Sequence, residues 1–94
     1  MIIGVCTLQL ELPAAHSLKE KRQILQSLMR RTRNEFNVSI GEVDHQDVPH
    51  SAILAIACVS TDTSHAHGLL TKVVNTIEQS RFDVILANFQ IEFL

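Results

Sequence analysis

Tryptophan and tyrosine are absent from this sequence, and only four phenylalanines stand in their place. Sheet-based single-strand nucleic-acid modules stack bases on aromatic side chains of their central strands. The two most strand-like runs, IIGVCTLQLEL and SAILAIACVS, contain no aromatic residue, which argues against base stacking on a sheet. Cysteine is equally scarce. Cys6 and Cys58 are the only two, far apart and each within an apolar run. That pattern reads as buried reduced thiols rather than a zinc or redox pair. No apolar stretch reaches the roughly 18 residues that a membrane-spanning helix needs. The opening MIIGVCTLQLEL is apolar but has no basic lead, and Gln9 and Glu11 interrupt it, so it does not read as a signal peptide. The expectation is a soluble, cytoplasmic chain with no membrane partner. Its 94 residues suit one domain. A chain of this size buries roughly 65 per cent of its unfolded surface, enough for a thin core without a metal or disulfide staple.

What is present is a polarity of charge. The net charge of −2 conceals a basic segment in an acidic chain. Residues 17–36 carry six cations, Lys19, Lys21, Arg22, Arg30, Arg31 and Arg33, against Glu20 and Glu35, a balance of +4. The remainder carries Lys72 and Arg81 against eight acids, a balance of −6. The overall charge disfavours non-specific nucleic-acid binding, but the local field of one basic helix does not.

Hydrophobic periodicity divides the chain into six elements. Residues 2–12 alternate as a strand, with Ile2, Cys6, Leu8, Leu10 and Leu12 on one face and Ile3, Val5, Thr7, Gln9 and Glu11 on the other. Pro13 ends it. Ser17 and Glu20 form a capping box, and a helix follows to about Phe36 with Leu18, Leu25, Leu28, Met29 and Phe36 at helical spacing. A second strand covers about 37–43, and the turn-forming DHQDVPH closes a hairpin into SAILAIACVS, a strand apolar on both faces. Thr61 or Asp62 caps a second helix striped by Ala66, Leu69, Leu70, Val73, Val74 and Ile77. The last strand, about 83–93, places Ile85, Ala87, Phe89, Ile91 and Phe93 on one face.

The order β-α-β-β-α-β predicts an α+β, ferredoxin-like fold over residues 1–94: a four-stranded antiparallel sheet with both helices on one face. The helix-free sheet face, with Val5, Val84 and Leu86, then calls for a cover, and a homodimer is the simplest one.

This topology gathers candidate side chains at one end of the sheet. His16, Lys19, Lys21 and Arg22 fall beside Asp44, His45, Asp47 and His50 of the hairpin, with Arg81 and Asp83 nearby. His65 and His67 lie at the opposite end and face away from each other on their helix. His45, Asp47, His50 and His16 are metal-ligand types, but their spacing matches no metal motif. No metal or cofactor is expected. The fold hosts acylphosphatases, yet LPAAHSLKEKR lacks the glycines of their phosphate loop. His45 beside Asp44 or Asp47 is an acid–base pair only in composition, and no nucleophile motif accompanies it. The chain therefore reads as a non-enzyme.

The remaining feature is the stretch HSLKEKR. A helix N-terminus carries about half a positive charge, so cations there are disfavoured by roughly 0.3–1 kcal/mol each. Lys19, Lys21 and Arg22 all sit there. At 100° per residue, Lys19, Arg22, Gln26, Arg30 and Arg33 form one stripe beside the apolar face, while Lys21 points toward the sheet edge. Two roles follow. Asp44, Asp47 and Glu42 of the hairpin are candidate partners for Lys21 and Arg22, and of these Lys21 and Glu42 are expected to form a structural ion pair. Lys19, Arg22, Arg30 and Arg33 are expected to face outward as an anion- or RNA-binding row, since amides and dipole at a helix start add to cationic side chains. The competing reading is a solvated charged face with no ligand.

Two segments, LPAAHSLKEKRQILQSL and RNEFNVSIGEVDHQD, resemble the YlxP-like family of small bacterial proteins, a domain of unknown function. The resemblance spans essentially the whole chain. It matches at Ser17, Leu18, Lys19, Glu20, Lys21 and Arg22, then at Asn37, Val38, Glu42, Val43, His45 and Asp47. Pro49 departs from the family pattern, which carries a bulky aromatic there. The resemblance implies a ferredoxin-like fold. It also implies a role near translation initiation or ribosome maturation, through gene neighbourhood, and supplies no catalytic residue. The combined expectation is a dimeric binding or assembly protein with RNA or the ribosome as partner. The alternative is a dimeric small-molecule-sensing regulatory module.

Overall fold

A computed structural model describes residues 1–80 and 83–94; Arg81, placed above near the hairpin end, lies outside the described residues. The chain order is β1 (Ile2–Glu11), α1 (Leu18–Glu35), β2 (Ser39–Asp44), β3 (Ser51–Ser60), α2 (Thr63–Ser80) and β4 (Ile85–Phe93). The strands form one sheet in the order β2-β3-β1-β4, with each neighbouring pair antiparallel. This is the expected ferredoxin-like arrangement.

Local chemistry sets the helix starts. Ser17 Oγ accepts from the Glu20 amide at 3.1 Å, and Glu20 Oε2 accepts from the His16 amide at 2.7 Å. The box thus closes one residue earlier than the usual reciprocal pair, on His16 rather than on Ser17 itself. For α2 it is Asp62 that caps, through Oδ1 accepting from the Ser64 amide at 3.0 Å.

The core lies between the helices and one sheet face. Cys6, Leu8, Leu10 and Leu12 from β1 and its extension meet Ala52, Leu54, Ile56 and Cys58 from β3, all buried. Leu25 and Leu28 of α1 and Leu70, Val73, Val74 and Ile77 of α2 close over them. The helix start at α2 approaches β1 closely at Gly4. A Cβ there would stand 3.0 Å from Leu70 Cδ1 and 3.3 Å from Ala66 Cβ, so any side chain at this position presses on Leu70 and Ala66.

β4 departs from the alternation read in the sequence. Leu8 pairs with Phe89 and Cys6 with Ile91, but Leu10 pairs with Leu86 and Glu11 with Ile85, because the register shifts between Gln9 and Leu10. The bulge absorbs Ala87 and exchanges the two faces of the strand. Ile85 therefore falls on the helix-free face and is exposed, while Leu86 packs against the core and Val84 is buried. The expectation that Val84 and Leu86 face away from the helices is corrected by this single inserted residue. Val5 does lie on the helix-free face, half-buried with Ile3 and Ile53.

Burial pushes the Cys6 thiol up to about 11, against a smaller opposing pull from a backbone hydrogen bond at Gln90. The folded state thus holds this proton more tightly than the unfolded chain does. Its contribution to stability is complete below the ordinary thiol value of 9.0 and is lost as pH rises toward about 11. The stability advantage of the wild type over Cys6→Ala, measured by denaturant melts, is expected to shrink between those two pH values. Gly4→Val is expected to lower stability by about 1–3 kcal/mol in the same melts, through overpacking against Leu70 and Ala66.

Candidate functional site

The α1 start and the 44–51 hairpin meet through Lys21. This lysine occupies the buried stripe of α1 together with Leu25, Leu28 and Thr32, and its side chain has no solvent exposure. Its ammonium donates to three carbonyls of the hairpin: His45 O at 2.6 Å, Val48 O at 2.8 Å and Ser51 O at 3.1 Å. Glu42 Oε2 lies 2.8 Å from the same ammonium. An ammonium has three protons, and the three carbonyls take them. Glu42 Oε2 accordingly receives no hydrogen bond, and its contact with Lys21 is Coulombic. The sequence places an acid beside Lys21; the carbonyl cage and the complete burial are beyond what it shows.

The cage organises the hairpin. His45 has a φ of 62°, in the left-handed region that non-glycine residues enter at a cost. Three contacts hold it there. Its amide donates to Asp44 Oδ1 at 2.8 Å, its Nδ1 lies 3.0 Å from Ser51 Oγ, and its carbonyl binds Lys21. The Val48 amide closes the turn on the same His45 carbonyl at 3.0 Å. His45 thus acts through its backbone and packs its ring against Ser51. Asp47 and His50 are exposed, and the His50 carbonyl accepts from the Leu12 amide at 2.8 Å. Among the described residues, no three His, Cys, Asp or Glu side chains come together as metal ligands would. At the far end of the sheet, His65 Nδ1 lies 3.1 Å from Ser60 Oγ.

The outer face of α1 is different in kind. Lys19, Arg22, Gln26, Arg30 and Arg33 are all exposed. Lys19 and Arg33 are 14 residues apart, which at 1.5 Å per residue makes a row about 21 Å long. Among the described residues, Lys19, Arg22 and Arg30 enter no ion pair. Arg33 differs from its expected purely outward role: its Nη2 donates to the Ile40 carbonyl of β2 at 2.9 Å. Part of that guanidinium is therefore committed to the fold, a link that helical spacing alone does not show.

The opening conflict of charge and dipole is thus resolved at one of three positions. Lys21 leaves the helix surface and is neutralised by Glu42 and three carbonyls, while Lys19 and Arg22 stay in solvent. Lys21→Met is expected to cost about 3–5 kcal/mol in urea melts, because it strands three carbonyls and the buried Oε2 of the half-buried Glu42. Glu42→Gln is expected to cost clearly less, since it leaves the three hydrogen bonds of the ammonium in place.

Comparison with known proteins agrees with the fold and extends it to a family. The chain is 35% identical over 77 residues to the uncharacterized protein YlxP of Bacillus subtilis (strain 168), covering 82% of this chain and 84% of that one. Among solved structures it is similar to a de novo designed protein with a ferredoxin fold, at a TM-score of 0.55 and 14% identity, over 100% of this chain and 83% of that one. It is also similar to an antibiotic biosynthesis monooxygenase, at a TM-score of 0.52 and 13% identity, over 100% and 96%. At such identities these two structures speak to the fold alone. Residues 3–91 match the family model described as a protein of unknown function, DUF503. With that match over nearly its whole length, the chain belongs to the DUF503 family.

Proposed function

We propose that this protein is a non-enzymatic binding or assembly protein whose α1 face contacts the phosphates of an RNA. The observation that carries the reading is the contrast along one helix. Lys21 is sealed and compensated, whereas Lys19, Arg22 and Arg30, within three turns of it, stand in solvent with no acid partner among the described residues. Cations that serve only the fold are expected to find acids in a chain whose other segments carry a net −6. Exposed lysine and arginine on a helix that starts at the same end suit phosphate oxygens, where the first-turn amides add to the attraction.

The contact would be electrostatic and would read backbone rather than base. The central strands present Ile3, Val5, Thr7, Ile53, Ala55 and Ala57 to the helix-free face, with no aromatic platform for stacking. A role near ribosome maturation or translation initiation rests on the family resemblance, and the basic row is the surface through which such a role would act.

The test is binding to ribosomal RNA fragments and isolated ribosomal subunits across a salt series. Three to four phosphate contacts give a log–log salt slope of about −2 to −3 for single strands. The combined Lys19→Glu, Arg22→Glu and Arg30→Glu variant spares Arg33, which the fold uses, and is expected to abolish binding while melting like the wild type. Absence of binding by the wild type at low salt would refute the reading.

A further inference from the structure

The two edges of the sheet are unequal. β2 is an edge of six residues, interrupted by a bulge between Glu42 and Asp44, with the Arg33 guanidinium on its Ile40 carbonyl and Asp44 at its end. Each of these features discourages pairing with a further strand. β4 is an edge of nine residues. From Asn88 to Phe93 it holds no proline and no lysine, and its only charge is Glu92. Phe89 and Phe93 are 43% and 37% exposed along it.

The ladder with β1 shows which amides of β4 are free. Ile3 and Leu94 exchange both backbone hydrogen bonds, at 3.2 and 2.8 Å. Antiparallel pairs alternate between bonded and non-bonded. Down the register, Glu92, Gln90 and Asn88 therefore turn their amides to β1, and Phe93, Ile91 and Phe89 turn theirs to the open edge. The same three residues lie on the helix side of the sheet, paired with Gly4, Cys6 and Leu8.

We propose that β4 pairs antiparallel with β4 of a second copy of this chain, about a two-fold axis at Ile91, to make one continuous eight-stranded sheet. The strand is self-complementary in that register. Ile91 meets the partner's Ile91, and Phe89 meets the partner's Phe93, so every outward amide finds an outward amide and the phenylalanines cover one another. On the opposite face Gln90 meets the partner's Glu92, an amide against a carboxylate. Shifting the axis to Glu92 sets the two carboxylates against each other, which is destabilising. Shifting it to Gln90 draws the bulged Ala87 into the ladder. The guarded β2 edge also matters: β4 on β2 would be a head-to-tail contact that leaves free ends and grows, whereas β4 on β4 closes.

The register predicts a crosslink that forms only between two different variants. Gln90 and Glu92 of the partner would be a non-bonded pair with Cα atoms about 4.5 Å apart, within disulfide range. Both side chains are exposed on the face away from the core, so replacing them leaves the fold intact. Gln90→Cys and Glu92→Cys proteins, mixed and mildly oxidised, are expected to give a covalent dimer, and neither alone is. The native thiols Cys6 and Cys58 are buried. In sedimentation velocity at micromolar concentration, wild type is expected to be a dimer, and the folded Phe89→Lys, Phe93→Lys double variant a monomer. A monomeric wild type overturns the proposal. So does a dimer in which the mixture stays uncrosslinked while Ala57→Cys, on the helix-free face, crosslinks with itself.

Discussion

A buried ammonium is tolerable only where oxygen surrounds it, and the architecture at one end of this protein is arranged to meet that demand. Removing a charge from water costs several kcal/mol after relaxation. Lys21 recovers that cost from three carbonyls and one carboxylate, drawn from β2, from the following loop and from the first residue of β3. None of those oxygens is near Lys21 in the sequence. They converge only when α1 lies against a correctly registered β2–β3 hairpin. The left-handed His45, the turn closed by Val48 and the docking of the α1 start on the sheet all depend on that convergence.

The same constraint sorts the charges of α1 into inner and outer sets. The inner cation is matched atom by atom and leaves no residual field for a ligand. The outer cations are not matched, so the net field of the helix is displaced onto one solvent-facing row. Arg33 stands between the two sets: exposed as a residue, yet donating to the Ile40 carbonyl. Its position ties the end of the basic row to the edge strand β2. The basic row and the guarded edge are thus contiguous, while the unguarded β4 edge lies on the far side of the sheet.

Much of this was legible in the sequence, for definite reasons. The alternation in β1 and the two helical stripes fixed element type, and Ser17 with Glu20 marked the helix start. Lys21 stood apart from the basic row by helical angle alone, and the expected hairpin offered Asp44, Asp47 and Glu42 as acids for it, of which the fold uses Glu42. The rest depended on backbone detail that residue types do not encode. Nothing in IEFL or ILANF announces a bulge at Ala87, so the inward and outward faces at the start of β4 were inverted. The carbonyl cage was invisible because carbonyls belong to every residue; only the positive φ of His45 and the burial of Lys21 reveal which ones are used. Arg33 looked like the last member of a surface row because its partner is a backbone oxygen rather than an acid.

Hairpin connections usually vary in length at little cost, because their backbone is turned to water and makes few fixed contacts. The connection from Asp44 to Ser51 is of another kind. Its carbonyls at 45, 48 and 51 act together as the ligands of a tethered cation. One residue inserted or deleted there would remove at least one ligand from Lys21 and misplace the rest. The loop is thus held to a fixed number of residues by a side chain more than twenty positions away.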